Sequence, residues 1–108
     1  MSMTLNEYQL LAQRTSPNDG HSRMLNGCMG LCGESGECID LLKKHLNQGH
    51  PLDEEKLAEE LGDVLWYCAE LAAGLKMPLE AIARNNIEKL KKRYPDGFSA
   101  EKSIHRTV

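Results

Sequence analysis

Two short acidic motifs in this chain could do chemistry: Glu34-Ser35-Gly36-Glu37 and Glu60-Leu61-Gly62-Asp63. Each places two carboxylates three residues apart, which on a helix puts them on one face about one turn from each other. If the two segments are neighbouring antiparallel helices, four oxygen donors converge. Four carboxylates crowded together without compensation would raise one another's pKa or force the helices apart. A divalent cation resolves that conflict. An all-oxygen set with no histidine beside it suits Mg²⁺, with Mn²⁺ as a substitute, rather than zinc. Because Mg²⁺ keeps several waters and readily takes phosphate oxygens, such a site points to a phosphorylated ligand. The plain alternative is that EXXE and EXXD are common on solvated helix faces, where carboxylates ordinarily sit.

The residues around the first motif bear on that choice. The stretch "GLCGESGECIDLLKK", residues 30–44, holds Gly30, Gly33 and Gly36. Each helical glycine costs about 1 kcal/mol relative to alanine. At 100° per residue, Gly27, Gly30, Glu34, Glu37 and Leu41 share one stripe, so glycine there leaves room for something to approach the backbone beside the carboxylates. Leu25, Cys28, Cys32, Ser35, Ile39, Leu42 and Leu46 form the opposite stripe and are expected to be the core face. In the second acidic segment, Leu57, Leu61, Val64, Cys68, Leu71 and Leu75 form the apolar stripe. Glu60, Asp63 and Tyr67 lie beside it, while Trp66 points to the far side with Glu59, Glu70 and Ala73. Trp66 reads as buried packing or a subunit contact.

Further along, Asn86, Lys89 and Arg93 recur at helical spacing beside the apolar stripe Leu79, Ala83, Ile87, Leu90 and Tyr94. A lysine and an arginine one turn apart can grip phosphate oxygens, and Asn86 offers a donor and an acceptor. Lys91 and Lys92 read as the ordinary basic last turn that a helix dipole favours. Tyr94 and Phe98 flank the helix end and could cover a ligand.

The elements that must position these groups are helices. Thr4 to Arg14 is a first helix and 15–22 a turn rich in Pro, Asn, Asp and Gly. A long helix covers about 23–48; a third, capped by Asp53, reaches about Leu75; a fourth opens at Pro78 and ends near Arg93 before Pro95-Asp96-Gly97. Residues 95–108 read as a polar C-terminal tail. No segment alternates like a strand, and short connections between long helices imply an all-α, four-helix-bundle-like array of antiparallel helices. The 108 residues suit one domain, 1–108, whose modest core and two-faced helices imply oligomers joined through bundle faces.

Composition limits the partners. The chain is 41% hydrophobic and 27% charged with a net charge of −3, which gives no polybasic block for a nucleic-acid polymer or a membrane surface. No apolar run approaches the roughly 20 residues of a membrane span. The N-terminus lacks the features of a signal peptide, so the expected location is cytoplasmic. Cys28, Cys32, Cys38 and Cys68 lack zinc-site spacing and read as reduced thiols.

The order of "GLCGESGECIDLLKK", "EELGDVLWYCAELA" and "NNIEKLKKRYPDGF" resembles the MazG-like nucleotide pyrophosphohydrolases of the all-α NTP pyrophosphatase superfamily. EXXE and EXXD are separated here by 22 residues. The resemblance, which extends to "EYQLLAQRT", implies Mg²⁺-dependent hydrolysis of a nucleoside triphosphate to the monophosphate and pyrophosphate, a nucleotide-pool house-cleaning reaction. It carries over Glu34, Glu37, Glu60 and Asp63 as metal ligands, with Glu34 or Glu37 also acting on the attacking water. It carries over Asn86, Lys89 and Arg93 as phosphate or substrate contacts; Tyr67, beside the acidic stripe, and Tyr94, at the end of the fourth helix, are further candidate substrate-binding residues. It also implies a homodimer or homotetramer. The competing readings are an acidic helical interaction module without turnover and a hydrolase of a phosphoribosyl-ATP-like substrate.

Overall fold

The computed structural model describes residues 2–17 and 20–107. These form five helices and no strand: α1 (Leu5–Ala12), α2 (Gly20–Gln48), α3 (Glu54–Gly74), α4 (Leu79–Arg93) and α5 (Ala100–Ile104). A 3₁₀ turn, Gln13–Thr15, extends α1. The expected turn chemistry at Asn18 and Asp19 lies outside the described residues.

Local signals explain the boundaries. Thr4 and Glu7 form a reciprocal capping box, with N–H to side-chain oxygen distances of 3.0 and 2.9 Å. Gly49 ends α2 in the left-handed region (φ 73°), and the His50 N–H returns to the Lys44 carbonyl at 3.1 Å. Asp53 then caps α3 by accepting from the Lys56 N–H at 3.0 Å. Pro78 precedes α4 but offers no side-chain cap. Instead α1 caps α4: the Gln9 amide oxygen accepts from the Leu79 N–H (2.8 Å), and Asn6 accepts from the Glu80 N–H (3.1 Å). The Gln9 amide nitrogen also donates to the Met77 carbonyl at 3.0 Å, so one buried polar side chain ties the first helix to the fourth.

The antiparallel pair α2/α3 is the body of the chain. Its register follows from glycines set against large side chains. A Cβ on Gly27 would meet the Leu71 backbone and side chain from 2.9 Å, one on Gly30 would overlap the Tyr67 ring, and one on Gly74 would press on Met24 from 3.0 Å. Gly27 and Gly30 therefore do not clear space for a ligand, as their position in the sequence suggested. They let α2 and α3 approach closely. Gly33 and Gly36 have nothing within 4 Å of a built Cβ.

This packing reverses the expected core face of α2. Leu25 (62% exposed), Ile39 (61%) and Leu46 (68%) face outward with Cys28 and Cys32, and on α3 Leu61 and Leu75 are exposed as well. The glycine stripe faces α3 because close helix contact requires small residues, and among the described residues no segment covers the larger apolar stripe. The buried hydrophobic core consists of Ala12, Ala69, Ala72 and Leu79, flanked by Tyr8, Trp66 and Ile82. A second tie is polar. Glu70, 2% exposed, accepts from the Ser16 hydroxyl at 2.7 Å and faces Arg23 Nε at 3.4 Å. It thereby joins the segment after α1 to the first turns of α2 and the last turns of α3.

Candidate acidic site

The close α2/α3 contact decides which carboxylates meet. Counting along antiparallel helices from the Gly30–Tyr67 contact, Glu34 on α2 comes opposite Asp63 and Glu60 on α3. Carboxylate oxygens of Glu34, Glu60 and Asp63 all lie within 4.8 Å of one another, which is close enough to share one ion. Glu60 is nearly buried at 9% exposure, while Glu34 is half-buried and Asp63 exposed. Lys56, one turn before Glu60, approaches it at 3.5 Å and Glu59 at 3.6 Å, partly offsetting the charge. The remaining strain shows on Glu34. Its pKa is raised above the ordinary 4.5, first by a hydrogen bond with Glu60 that favours the protonated form, then by partial desolvation and the charges of Asp63, Glu60 and Glu37. A carboxyl cluster that holds on to a proton because of its own crowding is suited to a divalent cation, and its all-oxygen donors fit a hard one.

Glu37, the fourth expected ligand, is exposed and lies outside the three-carboxylate cluster, though its charge is felt at Glu34. Glu34 and Asp63 open into a cleft of about 370 Å³ lined also by Thr15, Trp66 and Tyr67. Tyr67 was expected here; Trp66 and Thr15 were not. The Trp66 indole N–H donates to the Ala12 carbonyl (3.0 Å) and to the Thr15 hydroxyl (2.9 Å). Its ring meets Tyr67 edge-on, with centroids 5.0 Å apart at 86°. The helical wheel put Trp66 on the far side of α3, but the indole spans from α3 to the end of α1, and a wheel does not register that reach. Tyr8 also belongs to this neighbourhood: burial and the Asp63 charge push its phenol pKa up.

The basic residues of α4 do not join the acidic cleft within one chain. Asn86 lines an apolar groove of about 470 Å³ with Leu5, Leu31, Leu65 and Leu71; Lys89 is exposed; Arg93 lines a separate cavity at the C-terminal end of α4. Tyr94 packs against Phe98, with centroids 5.4 Å apart, rather than over the carboxylates.

The family model described as "MazG nucleotide pyrophosphohydrolase domain" matches residues 23–98, a span that contains all four acidic motif residues. The chain is similar to "Gene 37 protein" of Mycobacterium phage L5, 34% identical over 105 residues, covering 88% of this chain and 92% of that protein. No solved structure gives a significant match. Among the described residues, no helix is long and apolar enough to cross a membrane.

Proposed function

The chain belongs to the MazG nucleotide pyrophosphohydrolase domain family, and from that premise we propose that it hydrolyses a nucleoside or deoxynucleoside triphosphate to the monophosphate and pyrophosphate in a Mg²⁺-dependent reaction. The observation that carries this reading is the meeting of Glu34, Glu60 and Asp63 across α2 and α3. Those three residues would hold the cation, which when bound supplies charge neutralisation for the triphosphate and its leaving group. Glu37, within electrostatic reach of Glu34 but outside the cluster, takes a proton from the attacking water and directs it at the α-phosphorus. The α-phosphorus–oxygen bond to the β-phosphate then breaks and pyrophosphate leaves. Thr15, Trp66 and Tyr67 shape the cleft beside the carboxylates, and the aromatic pair offers a face for a base.

The functional form in this reading is a homodimer or homotetramer. The accessible surface of 8039 Å² exceeds the roughly 6,000 Å² expected of a compact 12.1 kDa monomer. The radius of gyration, 16.9 Å, exceeds the roughly 13 Å expected for this length. An excess near 2,000 Å² per chain is on the scale of an obligate interface. The exposed stripe of Leu25, Ile39 and Leu46 and the groove beside Asn86 are the surfaces such an interface would cover. Assembly is also the route by which Asn86 and Lys89 could reach a triphosphate.

The test is a panel of canonical and modified NTPs and dNTPs with Mg²⁺, read as pyrophosphate release. At least one substrate turns over, EDTA abolishes the reaction, Asp63→Asn abolishes it, and Glu37→Gln lowers kcat by about 10²–10⁴, the range for a lost general base. A folded protein that releases no pyrophosphate from any triphosphate is instead an acidic interaction module. Turnover confined to a phosphoribosyl-nucleotide would redirect the substrate assignment.

A further inference from the structure

The first turn of α3 carries a charge that helix stability would not choose. Asp53 caps the helix, and Glu54 and Glu55 follow it, as the helix dipole favours. The next residue, Lys56, sets a cation where the dipole repels one and where a capping box would place Glu or Gln. Its spacing to Glu60 is also the weaker order, since a lysine four residues ahead of a glutamate stabilises a helix less than the reverse. Local helix energetics therefore give no reason for Lys56, but its surroundings do. The ammonium lies 3.5 Å from Glu60 and 3.6 Å from Glu59. These two acceptors differ, because the Glu59 side chain is 72% exposed and the Glu60 side chain only 11%. Glu60 also belongs to the cluster with Glu34 and Asp63, whose oxygens lie within 4.8 Å of one another. Among the described residues, Lys56 is the one basic side chain paired with any of these three carboxylates.

Resting on the cation site of the preceding subsection, we propose that Lys56 is the internal counter-cation of that site: it offsets the charge of Glu60 in the metal-free chain and opposes the divalent ion that takes its place. Two responses to the ion are open to Lys56, and both have the same sign. If the ammonium stays, it is a positive charge a few Å from a dication, beside a carboxylate largely screened from water. If it withdraws, it forfeits Glu60 and keeps only the exposed Glu59, a pair worth little. Lys56 thus lowers the affinity of the cleft for the ion while holding crowded carboxylates together without it. Its role is positioning, exerted through Glu60.

The test uses the full chain and Mn²⁺ alone, titrated by calorimetry at low ionic strength. Lys56→Gln binds Mn²⁺ about three- to tenfold more tightly than wild type. A lysine that merely supported the fold would, on removal, weaken binding or leave it unchanged. Lys56→Arg keeps the charge and stays within about twofold of wild type. Lys76→Gln removes the same charge past the far end of α3, about 30 Å away, and also stays within about twofold. Thermal melting supplies a second readout. The Tm gain from EDTA to saturating Mn²⁺ is about 3–8 °C larger in Lys56→Gln than in wild type, because effects on the helix itself occur in both conditions and cancel. Unchanged or weaker Mn²⁺ binding by Lys56→Gln, an equal tightening by Lys76→Gln, or no Mn²⁺ binding by either protein would overturn the role. Neither readout needs turnover. A chain inactive on every triphosphate whose Mn²⁺ affinity rises in Lys56→Gln loses the hydrolase reading and keeps this one, and an active chain whose affinity ignores Lys56 does the reverse.

Discussion

Alanine at Gly30 and alanine at Gly33 should shift stability in opposite directions. Both positions are interior to α2, where replacing glycine gains about 1 kcal/mol of helix propensity. At Gly33 nothing lies within 4 Å of the added Cβ, so Gly33→Ala should deliver that gain nearly whole. At Gly30 the Cβ overlaps the Tyr67 ring, and relief requires the helices to part or the ring to swing. Overpacking costs about 1–3 kcal/mol, and swinging the ring forfeits its edge-on contact with Trp66, worth about 0.5–1.5 kcal/mol. Set against the propensity gain, Gly30→Ala should destabilise by about 1–2 kcal/mol, so the two variants should differ by about 2–3 kcal/mol. Urea denaturation at fixed protein concentration measures this. A Tyr67→Ala background supplies the control, because with the ring gone Gly30→Ala should become neutral or stabilising. If Gly30→Ala proves as stable as Gly33→Ala in the wild-type background, glycine does not set the spacing of α2 and α3, and the alignment of the carboxylates needs another cause.

Three further outcomes follow from particular contacts. Glu34 holds its proton above the ordinary value of 4.5, so its ionisation opposes folding at neutral pH and this cost fades as pH falls through its raised pKa. Without metal, Glu34→Gln should therefore melt higher than wild type at neutral pH, with the difference closing on acidification toward pH 4.5, and Mg²⁺ should raise the wild-type Tm less as pH falls. Glu70→Ala, which removes the carboxylate facing the 11%-exposed Arg23 side chain and the acceptor of the Ser16 hydroxyl, should cost about 1–3 kcal/mol in chemical denaturation, and a loss below about 1 kcal/mol would show the pair to be dispensable. Thr4→Ala, which breaks the capping box of α1, should cost about 1 kcal/mol by the same measurement.

Much of this architecture could be read from residue types. Asp53, Pro78 and the Thr4–Glu7 box mark helix starts, and the observed bounds differ from those expected by only a few residues. The meeting of Glu34 with Glu60 and Asp63 also followed from helical spacing and antiparallel packing. The choice between the two stripes of α2 did not. Periodicity reveals that Leu25, Ile39 and Leu46 share a face, but not that Gly27 and Gly30 would win the neighbouring helix by being small. Trp66 was misplaced because a long side chain crosses the boundary a wheel draws. The helix α5 escaped because five residues cannot show a helical period, although Ser99 ahead of it was a usable cap signal.

The glycine contacts between α2 and α3 work as a key in a slot, and this changes what is constrained about the first acidic motif. Tyr67 and Leu71 fit only where a side chain is missing on the facing helix, so the two helices are fixed along their length as well as in spacing. Inserting one residue between Gly30 and Glu34 would leave every carboxylate in the chain and would still turn Glu34 away by about 100° and carry it about 1.5 Å along the axis. The interval of four residues from Gly30 to Glu34 is therefore as much a part of the acidic site as the glutamate itself.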